Sequence, residues 1–195
     1  TLVVTSAAGA VGSFAIQLGK LAGMRVIGIT GNKEKSKKVI EQLGADDCLE
    51  HNNPSFAQNL ANTCPDGVNL FFDTLGGRIG DHVFENLAKY AQVIIVGRTI
   101  SNNSERPDQD PVNMRQLWAK EASIKGFSRY SYPERWEFAR ERMMALCRQG
   151  KIKTIDHIVN GFEKTPSSLR DMLSGNYTGK VLVRYSEKLM NIEND

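Results

Sequence analysis

Apolar β-branched runs alternate with segments of helical period along this chain. TLVVT (1–5), RVIGIT (25–30), DDCLE (46–50), VNLFFD (68–73), QVIIVG (92–97) and ASIKGF (122–127) read as strands. Several lack in-and-out alternation, as expected of strands covered by helices on both faces. Between the first two, Val11, Phe14, Ala15, Leu18, Leu21 and Ala22 recur at helical spacing. That predicts a helix with one buried stripe, ended by Gly23. Segments 33–43, 55–63 and 78–89 repeat the pattern, the last through Ile79, Val83 and Leu87. The alternation predicts an α/β fold on a doubly wound parallel sheet, with strand order 3-2-1-4-5-6.

The polar, Pro-bearing SNNSERPDQDP (101–111) is expected to be a loop over the sheet, because another strand-like run follows it. Pro133 then opens a helix over 134–149, in which Trp136, Ala139, Met143, Leu146 and Cys147 share one face. A core stripe is the expected role of that face. DHIVNGF, SSLRDMLSG and GKVLVRY follow as strand, short helix and strand, and 186–195 is expected to fray.

Composition narrows the function classes. With 195 residues, 41% hydrophobic and 24% charged, the chain can bury a core. Lysines and arginines are interleaved with acids and the net charge is only +3, so no nucleic-acid arm or basic membrane helix is indicated. Cys48, Cys64 and Cys147 are widely spaced, and His51, His82 and His157 have no ligand spacing, so neither a disulfide framework nor a metal site is expected. No run approaches the ~18 apolar residues of a spanning helix. With no signal peptide visible, a cytoplasmic location is expected. The chain begins without Met, inside a strand-like run, which suggests a piece of a longer protein.

Ala7-Ala8-Gly9-Ala10-Val11-Gly12 is a G-x-G-x-x-G loop with Ala in the first slot, set between a predicted strand and a predicted helix. Small residues let the backbone approach a pyrophosphate, and the free amides and dipole of the helix favour its charge. In NAD-binding Rossmann units, an acid at the end of the second strand holds the ribose 2′-hydroxyl. Here that place is Thr30-Gly31-Asn32, with no carboxylate before Glu34 and with Lys33 and Lys35 following. A neutral turn with lysines beside it suits a 2′-phosphate, so the expected cofactor is NADP(H).

VVTSAAGAVGSFAIQLGKLAGMRVIGITGNKEK, LGAD, DGVNLFFDTLGG, VIIVGRTIS and GNYTGKVLVRY together resemble the nucleotide-binding domain of the zinc-independent medium-chain dehydrogenase/reductase superfamily. The similarity runs in order from residue 2 to about 185 and is greatest to the prostaglandin reductase, alkenal double-bond reductase and quinone oxidoreductase branches. It implies an NADPH-dependent reductase of activated carbon–carbon double bonds, acting on a small-molecule enone or enal. Hydride passes to the β-carbon and the enolate is then protonated. Quinone reduction is the alternative within the enzyme class, and a non-catalytic NADPH-binding regulatory module is the alternative outside it. The resemblance also implies a homodimer. Residues 1–150 match the Rossmann domain, and 151–185 match a small C-terminal extension that returns toward an N-terminal catalytic domain absent from this sequence. The chain alone is therefore expected to bind cofactor but to reduce little.

Carried over by position, Ala8, Gly9, Ala10, Val11 and Gly12 match the pyrophosphate loop, and Lys35 matches the family's 2′-phosphate lysine beside Thr30, Gly31 and Asn32. His51 stands where many relatives have Tyr near the adenosine. Asp73, Thr74 and Gly76 fall in the strand-end D-x-V-G-G region, here DTLGG. Gly97, Thr99, Ile100 and Ser101 match the loop beside the nicotinamide ribose, although GRTIS has one residue more than G-x-I-S. Phe127, Ser128 and Arg129 match the segment against the nicotinamide, and Tyr177 replaces an Asn in G-x-N-x-G-K. A Tyr that relatives place shortly before the GF strand is Ala119 here, next to Trp118, leaving Tyr130 as the nearest phenol for substrate contact. The Tyr-x-x-x-Lys of short-chain dehydrogenases is missing at every tyrosine.

Overall fold

A computed structural model describes residues 1–98 and 113–185. Thr99, Ile100, Ser101, the rest of the polar stretch to 111 and the 186–195 tail lie outside the described residues. Five βα units run β1 (Leu2–Val4), α1 (Gly12–Leu21), β2 (Val26–Thr30), α2 (Lys33–Leu43), β3 (Asp47–Glu50), α3 (Phe56–Thr63), β4 (Val68–Asp73), α4 (Arg78–Glu85), β5 (Leu87–Ile95), α5 (Met114–Lys120) and β6 (Ser123–Gly126). The strands pair in parallel in the order β3-β2-β1-β4-β5-β6, the predicted doubly wound sheet. Helix α6 (Trp136–Arg148) follows, then β7 (Asp156–Asn160), α7 (Thr165–Leu173) and β8 (Lys180–Arg184), with β7 and β8 forming a separate parallel pair.

Two apolar clusters cover the two faces of the sheet. Val3, Ile27, Ile29, Phe71 and Val93 pack with Phe56, Leu60, Val83 and Phe84 on one face. Leu2, Val4, Val26 and Ala7 pack with Ile16, Val39 and Leu43 on the other. Neighbouring residues of β1 and β2 thus enter opposite clusters, and all five residues of β2 are buried, which is why these strands read as unbroken apolar runs.

Three expectations are corrected. In α1 the buried side is Gly12, Ser13, Ile16, Gln17 and Gly19, while Val11, Leu18 and Leu21 are exposed. Small residues win that face because the helix lies close on the sheet: a Cβ at Gly19 would sit 2.5 Å from Leu2 Cδ2 and 2.9 Å from Val26 Cγ2. The bulkier Val11, Phe14 and Leu18 instead line an open apolar groove with Leu70 and Phe72.

The helix expected over 78–89 ends at Glu85, because Leu87 begins β5 opposite Val68. Leu87 joins Ile79 and Val83 in one core cluster, but from a strand, so its i+8 spacing from Ile79 imitated a helix. A register shift between Val68 and Leu70 and the positive φ of Tyr90 accommodate the extra residues of β5.

Helix α6 has no buried residue, and Trp136, Ala139, Met143, Leu146 and Cys147 are only half-covered or exposed. Its main packing partner among the described residues is the short 3₁₀ turn Pro133–Arg135 that leads into it. Periodicity identifies an apolar face without saying what covers it.

Candidate functional site

Ligands of open α/β sheets bind outside the carboxyl ends of the strands, where the strand order reverses. Here that point is the end of β1, flanked by β2 and β4. The chain turns there through Ser6, which has a positive φ, and Gly9 N–H closes the turn on the Ser6 carbonyl at 2.8 Å. Gly12 is fixed by the same carbonyl, because a Cβ on it would lie 2.2 Å from Ser6 O. Ala7 fills the first slot of the motif because it faces inward, fully buried, with its Cβ 2.9 Å from the Cβ that Gly28 lacks. The backbone amides of Ala10, Val11 and Gly12 donate to no described residue, and the first turn of α1 holds no acid. This helix end is therefore electropositive and open for hydrogen bonding.

The end of β2 forms the next wall. Thr30 is buried, its hydroxyl 2.7 Å from that of Ser36. Asn32 caps α2 by accepting from the Lys35 amide at 3.0 Å, which sets Lys35 in the first turn on the cleft side. The Lys35 ammonium donates to the Gly175 carbonyl. Burial lowers its pKa from the ordinary lysine value. His51 follows β3, anchored by its amide on the Thr30 carbonyl at 2.9 Å, and burial lowers its pKa too, with the Lys35 charge adding to the effect. Asn52 Nδ2 holds the Gly31 carbonyl at 3.0 Å.

No carboxylate lines this part of the cleft among the described residues. Glu34 pairs with Lys38 at 2.8 Å, and Glu50 lies with Lys33, Lys37 and Cys48 in an outer groove. Lys33 therefore lies on the outer side, and Lys35 is the lysine at the cleft.

The last wall comes from the C-terminal segment. Gly179 bridges Gly9, its amide donating to the Ala8 carbonyl at 2.7 Å. Met172, Leu173, Gly175, Tyr177 and Lys180 face Ser6, Ala8, Gly9, Ala10, Thr30 and Gly31. Tyr177 stacks on His157 with ring centroids 4.2 Å apart, and its hydroxyl lies 3.3 Å from Asp171 Oδ2. The widest part of the cleft is about 620 Å³ and reaches from Ser6 past Lys35 to His51.

Of the residues singled out in the sequence, Ala8, Gly9, Ala10, Thr30, Gly31, Asn32, Lys35, His51 and Tyr177 thus come together around one cleft. Val11 does not line that cleft; its side chain lines the apolar groove behind the loop. Thr74 and Gly97 meet at the ends of β4 and β5, where a Cβ on Gly97 would lie 3.2 Å from Thr74 O. Phe127, Ser128 and Arg129 continue from β6, with the Phe127 amide on the Ile95 carbonyl at 2.8 Å. Tyr130 is 70% exposed, its ring lies under the Arg129 guanidinium and edge-on to Trp136, and it is not among the described residues that line the cleft. Ser6, Asn52, Met172, Leu173, Gly175, Asn176 and Lys180 also line the cleft and were not singled out. Among the described residues, no group of three His, Cys, Asp or Glu side chains could hold a metal ion.

Residues 10–145 match the family described as zinc-binding dehydrogenase. The chain belongs to that family. Within it, the chain is the nucleotide-binding domain of a zinc-independent medium-chain dehydrogenase/reductase. It is 36% identical over 190 residues to the NADPH-dependent curcumin reductase of Escherichia coli (strain K12), covering 94% of this chain and 55% of that protein. It is 28% identical over 189 residues to the (+)-pulegone reductase of Mentha piperita, covering 96% and 55%. The structure of CurA from Vibrio vulnificus in complex with NADPH superposes with a TM-score of 0.88 at 34% identity, covering 95% of this chain and 57% of that one. The chain spans about half the length of the curated relatives it matches.

Proposed function

We propose that the cleft binds NADP(H), with the pyrophosphate on the glycine-loop amides and the 2′-phosphate beside Lys35. The observation that carries the reading is the chemistry at the end of β2: a neutral Thr30-Gly31-Asn32 turn, a half-buried lysine aimed into the cleft, and acids turned outward. Three amides at the start of α1 that donate to no described residue, beside a Gly9 that carries no side chain, fit the diphosphate. His51 stands beside the adenosine, Tyr177 and Lys180 border the diphosphate, where Lys180 adds positive charge, and Thr74, Gly97, Phe127 and Ser128 border the nicotinamide half. Thr99 and Ile100 are proposed to complete that end.

Joined to a domain corresponding to the rest of its relatives, this domain serves a reductase of activated carbon–carbon double bonds in enones or enals. When bound, NADPH supplies the hydride for the β-carbon. The chain's own part is to orient the nicotinamide at the carboxyl ends of β4 to β6 and to exclude water from one side of the acceptor. Similarity to named reductases of a curcuminoid and of pulegone favours this chemistry.

The test is a fluorescence titration of this chain with NADPH and NADH, repeated on Lys35→Ala, followed by NADPH oxidation assays of the intact protein with enones and quinones. NADPH is expected to bind about tenfold to a hundredfold more tightly than NADH, most of that difference vanishing in the variant. Equal affinity for the two nucleotides refutes the cofactor reading, and faster turnover of quinones than of enones refutes the substrate reading.

A further inference from the structure

We propose that Arg129 recognises a carboxylate on the substrate, so that anionic enones are preferred over their neutral counterparts; the proposal rests on the enone-reduction reading above. Arg129 follows β6 at the carboxyl edge of the sheet, two residues after Phe127, whose amide is tied to Ile95 at the end of β5. Position alone puts it on the side where the acceptor must lie if the nicotinamide is at the ends of β4 to β6.

The guanidinium is held in place without being neutralised. Its central carbon lies 4.7 Å from the Tyr130 ring centroid and 5.5 Å from that of Trp136. One Nη donates to the Tyr130 hydroxyl at 3.1 Å, and the Trp136 indole N–H donates to the Arg129 carbonyl at 2.9 Å. These contacts fix backbone and side chain together, so little rotamer entropy remains to be lost on binding. No carboxylate among the described residues pairs with Arg129: Glu137, on the helix that follows, is taken by Arg140. Most of its five N–H donors are left for an external acceptor.

The surroundings define the rest of the ligand. Phe127 and Tyr132 stack at 5.5 Å with an interplanar angle of 12°, and Tyr130 and Trp136 are 70% and 45% exposed. Four aromatic rings in a ten-residue segment beside a fixed cation suit a flat, conjugated acceptor that carries an anionic group at one end. A neutral analogue of the same shape gains the stacking but leaves the guanidinium to water.

The experiment uses the intact protein and two chalcones that differ only in charge, para-carboxychalcone and its methyl ester. With NADPH, wild-type kcat/KM is expected to be about tenfold higher for the carboxylate, the size of one charged hydrogen-bonded contact at an accessible site. Arg129→Met brings the ratio to within about twofold of one, and Arg129→Lys keeps part of it. A role in folding or in holding the cofactor lowers both substrates together and preserves the ratio, and that result overturns the proposal, as does a wild-type ratio near one. If neither chalcone is reduced, the enone reading has failed separately. The charge test then moves to equilibrium titration of the two chalcones into the NADP⁺-loaded protein. A carboxylate preference that Arg129→Met removes supports the proposal there, and equal dissociation constants overturn it.

Discussion

Gln17, buried in the middle of α1, closes both backbone hydrogen bonds of Lys153. Its Oε1 accepts from the Lys153 amide at 2.7 Å, and its Nε2 donates to the Lys153 carbonyl at 2.9 Å and to the Ser13 carbonyl at 3.0 Å. The segment that leads from α6 into β7 is thereby stitched to the helix whose first turn opens on the cleft. Gln17→Leu keeps the volume and loses all three bonds, leaving the part-buried amide and carbonyl of Lys153 without their side-chain partner. It is expected to cost about 3 kcal/mol, read as a lower urea midpoint at unchanged slope. An unchanged midpoint would show that water replaces the side chain.

Asp73 does the corresponding work at the end of β4. Its buried Oδ1 accepts from the Thr5 hydroxyl at 2.9 Å and from the amides of Leu75 and Gly76 at 3.0 and 3.2 Å. The Thr5 hydroxyl in turn accepts from the Thr74 amide at 2.8 Å. One carboxylate therefore joins β1 to the loop 74–77, in which Gly76 and Gly77 have positive φ. Asp73→Ala is expected to destabilise the chain by about 3 kcal/mol and Asp73→Asn by less, since its amide oxygen still accepts. Both are measured by urea unfolding, and equal losses would assign the effect to charge instead of hydrogen bonding.

Gly12 and Gly31 make a matched pair for testing the glycine loop. A Cβ at Gly12 meets backbone at 2.2 Å, whereas one at Gly31 meets only side-chain ends at ordinary contact distance, His51 Nε2 at 3.4 Å and Asn52 Nδ2 at 3.9 Å. Gly12→Ala is expected to destabilise the fold by about 2 kcal/mol through overpacking and to weaken NADPH binding by shifting the amides of α1. Gly31→Ala is expected to unfold at the wild-type urea concentration. If Gly12→Ala unfolds there as well, α1 does not sit on Ser6 as closely as the geometry states.

What the sequence made legible follows the range of the interactions that decide each feature. Strand order, the glycine loop and the lysine after a neutral β2 end are set within βα units of about 30 residues, and local pattern carries them. The α1 face was misjudged because a helix that lies close on a sheet buries glycines, and hydrophobicity counts cannot register a missing side chain. Leu87 misled because a core position reached from a strand keeps the spacing of a helix. Lys180, Met172 and Gly175 were missed at the cleft for a different reason. They arrive from the far end of the chain, through the pairing of Gly179 with Gly9, and no local periodicity encodes that pairing.

Cys48 gives the fold an alkaline limit. Its thiol is buried between β3 and α2, near Thr30 and Ser36, and loss of solvation pushes its pKa from 9.0 to about 11. Below pH 9 the thiol is neutral in both folded and unfolded chains, and its full contribution to stability is present. Between pH 9 and 11 the unfolded chain ionises first and binds fewer protons, so stability falls as pH rises through the folded value. At about 1.4 kcal/mol per unit, the loss by pH 11 approaches ~2–3 kcal/mol. Burial raises Cys64 as well, so part of the slope belongs to it. Cys48→Ala is expected to lose about 1 kcal/mol at pH 8 from the small cavity, yet to decline about 2 kcal/mol less than wild type between pH 8 and pH 11. Urea midpoints of both proteins at the two pH values decide it. Parallel declines mean that the thiolate finds solvent or a hydroxyl partner in the folded state, and that the burial of Cys48 imposes no alkaline limit.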